Sequence, residues 1–134
     1  METVNQIEYN GALYNIKDAE AQKSLVYSQN ETDTGKIWID GKKIYRKVIL
    51  LPAIAKGATY EYDLTSFMPS VYIQLYGFVQ DFQNHYLPLL NSDTDDVTLN
   101  IFMRIKNNKL LVVTGKNKQI LDGFVVLEYT KTTN

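Results

Sequence analysis

The stretch Gly35–Leu50 constrains this chain most, because two strand-like apolar runs flank Asp40-Gly41. Ile37-Trp38-Ile39 lies on one side and Ile44-Tyr45 through Leu50 on the other. An Asp-Gly pair in that position is a strong hairpin signal, since a type I′ turn needs positive φ at both central residues. A hairpin also fixes register, and with it which side chains point inward. Trp38, the one tryptophan of the chain, is therefore expected to be a core anchor. The rest of the chain divides around this hairpin into an attachment segment, residues 1–34, and a folded body, residues 35–134.

The segment before Gly35 carries a second hairpin signal. Gln6–Tyr9 and Ala12–Ile16 flank Asn10-Gly11, again the composition of a I′ turn. Asp18 suits a helix N-cap, and good helix formers follow to Leu25. Ala21 and Leu25 share a face, but the apolar stripe is thin. Such a helix is marginal alone and needs packing against the body or against other copies. Ser28–Gly35 is polar and reads as a linker.

In the body, turn signals separate short strand-like runs. Ala58–Leu64 reads as an edge strand and Thr65–Pro69 as a turn or short helix. Val71–Gln80 alternates, with Val71, Ile73, Leu75 and Val79 facing the core and Tyr72, Gln74, Tyr76, Phe78 and Gln80 opposite. Tyr86–Leu90 is a short strand that Pro88 confines to an edge or bulge. Val97, Leu99, Ile101, Met103 and Ile105 alternate with Thr98, Asn100, Phe102, Arg104 and Lys106. Asn107-Asn108 is a hairpin turn, and Lys109–Thr114 is the return strand. Asp122-Gly123 precedes the last strand, Phe124–Lys131. The fold class that follows is all-β: an antiparallel β-sandwich with a small N-terminal hairpin-helix segment.

Composition narrows the function classes. Hydrophobic residues are 45% and charged residues 22%, with a net charge of -1, so no global field selects nucleic acid. Lys36, Lys42, Lys43, Arg46 and Lys47 cluster locally, but alternation places Arg46 and Lys47 on opposite faces, and the cluster reads as a solubilising hairpin tip. The absence of cysteine excludes a disulfide framework and thiolate metal sites. The opening residues lack a signal-peptide pattern, and no apolar run approaches the roughly 20 residues that span a bilayer, so no membrane insertion is expected.

Candidate chemistry is sparse. His85, the single histidine, sits in Gln83-Asn84-His85-Tyr86 without a nucleophile motif near it, so it reads as a loop residue exposed or contacting a ligand. Asp93-Thr94-Asp95-Asp96 invites calcium, but Val97, Thr98 and Arg104 occupy ligand and turn positions of such a loop, so a solvated loop is expected. No catalytic residue, metal or cofactor is assigned. The ligand-binding candidates are Gln83, Asn84, His85 and Tyr86 in one loop and Asp93 and Asp95 in another, since recognition usually sits on loops held by a rigid scaffold. The aromatic-amide face of Tyr72, Gln74, Tyr76 and Phe78 has three readings: the inside of the sandwich, a subunit interface, or a sugar-binding wall.

Three stretches resemble the tip domains of tail fibres and receptor-binding proteins of tailed bacteriophages. Ile7–Gly11, continuing through Tyr14–Ala19, is similar to a segment near the starts of tail-fibre modules. Gly35–Val48, with its Trp-Ile-Asp-Gly-Lys string followed by Ile44-Tyr45, resembles the opening of the tip domain. Val126–Asn134 resembles its closing strand, and Ile73–Gly77 with Leu87–Leu89 fits between them. Lys43 stands where proline is frequent, and Asn15 and Asn134 where Asp is common. The resemblance implies a non-enzymatic virion protein of the tail tip or baseplate, made in the host cytoplasm. It implies a homotrimer that contacts other tail or baseplate proteins and attaches to a bacterial surface saccharide. A structural adaptor of the fibre with no ligand of its own is the rival expectation.

Overall fold

The computed structural model describes residues 6–9, 12–15, 25–89 and 97–133. β1 (Gln6–Tyr9) and β2 (Ala12–Asn15) pair antiparallel with Tyr9 opposite Ala12, so the first expected hairpin forms. Its turn, the helix expected after Asp18 up to Ser24, and the acidic loop with Asp93 and Asp95 lie outside the described residues.

The body is an antiparallel β-sandwich. One sheet has five strands in the order β3-β4-β10-β6-β7. These are β3 (Thr32–Ile37), β4 (Lys43–Leu51), β6 (Pro69–Asp81), β7 (Tyr86–Pro88) and β10 (Ile120–Lys131). The other sheet, in the order β5-β9-β8, contains β5 (Thr59–Asp63), β8 (Ile101–Lys106) and β9 (Lys109–Thr114). The inner faces share one apolar cluster. Ile49, Val79, Val125 and Leu127 come from the larger sheet, and Ile101, Met103, Leu110 and Val112 from the smaller. Period-two alternation does this directly: Leu110 and Val112 face inward while Lys109 is exposed. Asn107 and Asn108 both take positive φ (53° and 57°) between Lys106 and Lys109, which makes the β8–β9 connection a type I′ turn. Pro88 is tolerated because β7 is an edge strand.

The hairpin at Asp40-Gly41 forms, but not as a I′ turn. Ile37 opposite Lys43 is the last strand pair. Beyond it the Trp38 N–H donates to the Lys42 carbonyl at 2.8 Å, and the Gly41 N–H donates to the Trp38 carbonyl at 2.9 Å. Only Gly41 of the Asp-Gly pair has positive φ, at 86°. This is a three-residue loop, a turn closed by a left-handed glycine. The longer loop carries Trp38 out of the strand. Trp38 is half-buried and stands outside the core cluster, so it is not the core anchor expected. Ile39 at the tip is 91% exposed.

Four further expectations are corrected by non-local pairing. Part of the stretch Ser28–Gly35 read as a linker is β3, an edge strand with Thr34 buried and its hydroxyl donating to the Ile44 carbonyl at 2.7 Å. Asp122-Gly123 does not precede the last strand but lies inside β10. A Cβ at Gly123 would stand 2.5 Å from the Phe78 carbonyl oxygen, so close strand approach explains the glycine. In β6, Glu128 and Tyr129 of β10 face Gln74 and Tyr72, leaving Ile73 as the extra residue of a bulge. That single insertion reverses the alternation upstream of it and turns Tyr72 onto the core. Val97–Leu99 forms a 3-10 turn rather than a strand, because β9 ends at Thr114 and offers those residues no ladder.

The basic cluster is also reorganised. Alternation does separate Arg46 from Lys47, but both are buried rather than displayed on a hairpin tip. Arg46, on the outer face of the larger sheet, donates to Glu128 Oε1 through Nε at 3.0 Å and Nη2 at 2.7 Å. The segment before β3 seals this pair. Tyr27 lies 4.5 Å from the guanidinium, the Val26 carbonyl accepts from Nη1 at 3.4 Å, and the Ser28 carbonyl accepts the Val48 N–H at 2.9 Å. Lys47 points inward, with its ammonium 4.9 Å from the Phe67 ring and donating to the Gln29 carbonyl.

A buried ion pair is costly to break from one side, because the surviving charge stays desolvated. Glu128→Ala is therefore expected to lose about 3–5 kcal/mol in chemical denaturation. The double variant Arg46→Met/Glu128→Leu should recover most of that loss.

Candidate functional site

A cleft of about 340 Å³ opens at one end of the sandwich, lined by Lys56, Asp81, Phe82, Gln83, Leu99, Asn117, Lys118 and Gln119. Its walls come from segments distant in sequence. Phe82 and Gln83 belong to the β6–β7 loop, Lys56 to the turn after β4, Leu99 to the 3-10 turn, and Asn117–Gln119 to the β9–β10 connection. Backbone bonds tie these segments together. The Gly57 N–H donates to the Gly115 carbonyl at 2.8 Å, Gly115 to Asn100 at 2.7 Å, and Asn117 to Thr98 at 2.9 Å. The Asn117 side chain adds a bond to the Thr98 hydroxyl at 2.9 Å.

Asp81 organises the loop. It ends β6, and its side chain is buried. Oδ1 accepts the backbone N–H groups of Gln83 at 2.8 Å and His85 at 2.9 Å. Oδ2 accepts from Lys118 Nζ at 3.0 Å and lies 3.1 Å from His85 Nδ1. Burial alone would raise the carboxyl's pKa. The His85 N–H, the Lys118 ammonium, the Gln83 N–H and the His85 ring outweigh it and hold Asp81 well below the usual carboxylate range. One side chain thus fixes the β6–β7 loop and also clamps it to the β9–β10 connection.

Of the described residues among those expected to bind ligand, only Gln83 lines the cleft. His85 is exposed outside it, with Nδ1 3.1 Å from Asp81 Oδ2. Asn84 takes the left-handed conformation (φ 63°) and accepts from Gln80 Nε2 at 3.2 Å. Tyr86 is exposed on β7 opposite Gln80. Phe82 lines the cleft from the same loop as Gln83, while Lys56, Asn117, Lys118 and Gln119 were missed. They lie in stretches that read only as turns, and no period in the sequence links them. The local signal available was Asp81 followed by a short polar loop, the pattern in which an Asp side chain accepts backbone N–H groups two residues on.

Chemically the cleft combines amides, which both donate and accept, with an aromatic ring that is 56% exposed at Phe82 and an exposed ammonium at Lys56. A second depression of about 270 Å³ lies on the outer face of the smaller sheet among Glu61, Arg104, Lys106, Asn107, Lys109 and Leu111. It has no aromatic wall, and its Glu61–Lys109 pair at 3.8 Å is half-exposed.

Asp81's folded pKa is depressed, so its contribution is present above the unfolded value near about 3.9 and is lost as pH falls through the folded value. Asp81→Asn is expected to cost about 1–3 kcal/mol at neutral pH. The gap to the unsubstituted protein should narrow in denaturation curves recorded from about pH 4 down to about pH 2.

No protein-family model, curated protein or solved structure matches the chain, so its function has to be argued from its own residues.

Proposed function

We propose that the chain is the receptor-binding tip of a phage tail or baseplate, an adhesin that holds a bacterial surface saccharide without cleaving it. The observation that carries the reading is the end cleft. An exposed ring at Phe82 stands beside the side chains of Gln83, Asn117 and Gln119. Rings pack on the apolar face of a pyranose while amides exchange hydrogen bonds with its hydroxyls, and the clamp at Asp81 holds both in place before the ligand arrives. Asp81 is not suited to act as the general acid of a glycosidase. A general acid for glycoside cleavage needs a raised pKa, and this carboxyl is pushed the other way.

The proposed assembly is a homotrimer attached to other tail or baseplate proteins. Its support is an apolar row on the outer face of the larger sheet. Leu50, Phe124, Phe78 and Pro88 stand in register across β4, β10, β6 and β7, and Phe78 and Phe124 lie 6.3 Å apart between ring centroids. Leu50 is 55% exposed and Phe78 44%. Such a row favours burial against another surface. Three copies of a weak saccharide site would then bind a repeating surface polymer by avidity. The same row is the observation that favours the rival reading, a fibre adaptor whose only contacts are with other virion subunits.

A glycan array tests adhesion. Reproducible retention is expected, falling about tenfold in Phe82→Ala and in Gln83→Ala, the loss of one well-formed contact. A blank array supports the adaptor, and retention indifferent to both substitutions removes the cleft as the site. Sedimentation is expected to give three times the single-chain mass, and Phe78→Glu is expected to reduce it. A single-chain mass at working concentration overturns the trimer.

A further inference from the structure

We infer that the cleft takes an acidic saccharide, one carrying a carboxylate or a phosphate, and that Lys56 is the residue that reads the negative charge. This deepens the saccharide reading above and rests on it. The charged groups lining the cleft are Lys56, Asp81 and Lys118, and the His85 ring touches it only through Asp81. Asp81 and Lys118 neutralise one another at 3.0 Å, and both side chains are largely withdrawn from water. The Asp81 carboxylate accepts from Lys118 and from two backbone N–H groups and lies 3.1 Å from His85 Nδ1, so its negative charge is met from several sides. Lys56 differs. It is exposed at the cleft wall, and among the described residues it has no ion-pair partner.

Among the described residues, the cleft therefore presents one positive charge without an ion-pair partner. A hydrogen bond to an ionised acceptor is about twice as strong as one between neutral groups. Lys56 is itself ionised, so its bond to a neutral hydroxyl is already charge-assisted; an anionic ligand adds the attraction between opposite charges, which salt screens. Lys56 is also well placed to act with the amides. Gly57, its neighbour, bonds to Gly115, and Asn117, Lys118 and Gln119 follow in the same connection. Anion and ring hydroxyls would thus be read by two segments held together through the backbone. Among the described residues no hydrogen bond or ion pair of the fold uses Lys56, whereas Lys118 holds Asp81.

The test uses the full chain on an array of paired probes. Oligosaccharides containing uronic acid are printed beside their carboxyl-reduced counterparts, and glycerol-phosphate-bearing glycans beside their dephosphorylated forms. The acidic member of at least one pair is expected to be retained about tenfold better than its neutral partner, with the preference shrinking as salt is raised. Lys56→Gln should bring acidic and neutral members to parity while leaving the unfolding midpoint unchanged. The pair type that shows the preference distinguishes a carboxylate from a phosphate. Equal retention of both members, or a preference that survives Lys56→Gln, overturns the anion inference and leaves saccharide adhesion standing. Retention of neither member overturns both.

Discussion

Everything in the body depends on β10 being paired along both edges. From Ile120 to Lys131 it bonds to β6 on one side and, over Gly123–Tyr129, to β4 on the other. A strand in that position cannot face water on either edge, and its residues 125–130 are all buried. The sheet closes around sequence-distant partners, because β10 follows β4 by about half the chain. Such pairings carry a loop-closure cost before they are rewarded, so the fold is a non-local one.

The central position of β10 explains the charge at Glu128. On the outer face of a central strand a carboxylate needs a partner on a neighbouring strand, and Arg46 of β4 stands directly opposite. The pair would still be open to water on that face, were it not for the crossing segment that brings Tyr27 over the guanidinium. Glu31 in the same segment accepts from the Tyr129 hydroxyl and pairs with Lys131 at 2.8 Å. Burial and the Glu31 carboxylate together push the Tyr129 phenol up. The residues leading into β3 are therefore part of the body, held by charges and phenols on β10. The stretch that links the N-terminal hairpin to the sandwich ends in a strap fixed to the most buried strand.

The end cleft follows from the same frame. β6 and β10 run past the rim of the core, and Ile120 opposite Asp81 is their last pair. Where the ladder stops, the carboxylate of Asp81 takes over from backbone pairing and orders the turn. The cleft wall is thus tied to the strand that precedes it, and none of its lining residues belongs to the apolar core cluster. That separation would let the lining residues change without disturbing the core.

Much of this was legible from residue order alone. Alternation marked β6, β8 and β9, the Asn107-Asn108 turn set the β8–β9 hairpin, and Pro88 marked an edge. These are local properties, fixed by the two-residue period of a strand and by the φ that a turn residue tolerates. Tertiary structure alone decided what depends on a partner far away in the chain. The bulge at Ile73 turns Tyr72 inward, Arg46 is buried because Glu128 faces it, and the wider loop at Trp38 leaves the indole outside the core. The cleft belongs to the same class. Lys56, Gln83 and Asn117 share a wall only because β6, β9 and β10 end at one rim, and no spacing along the chain encodes that meeting.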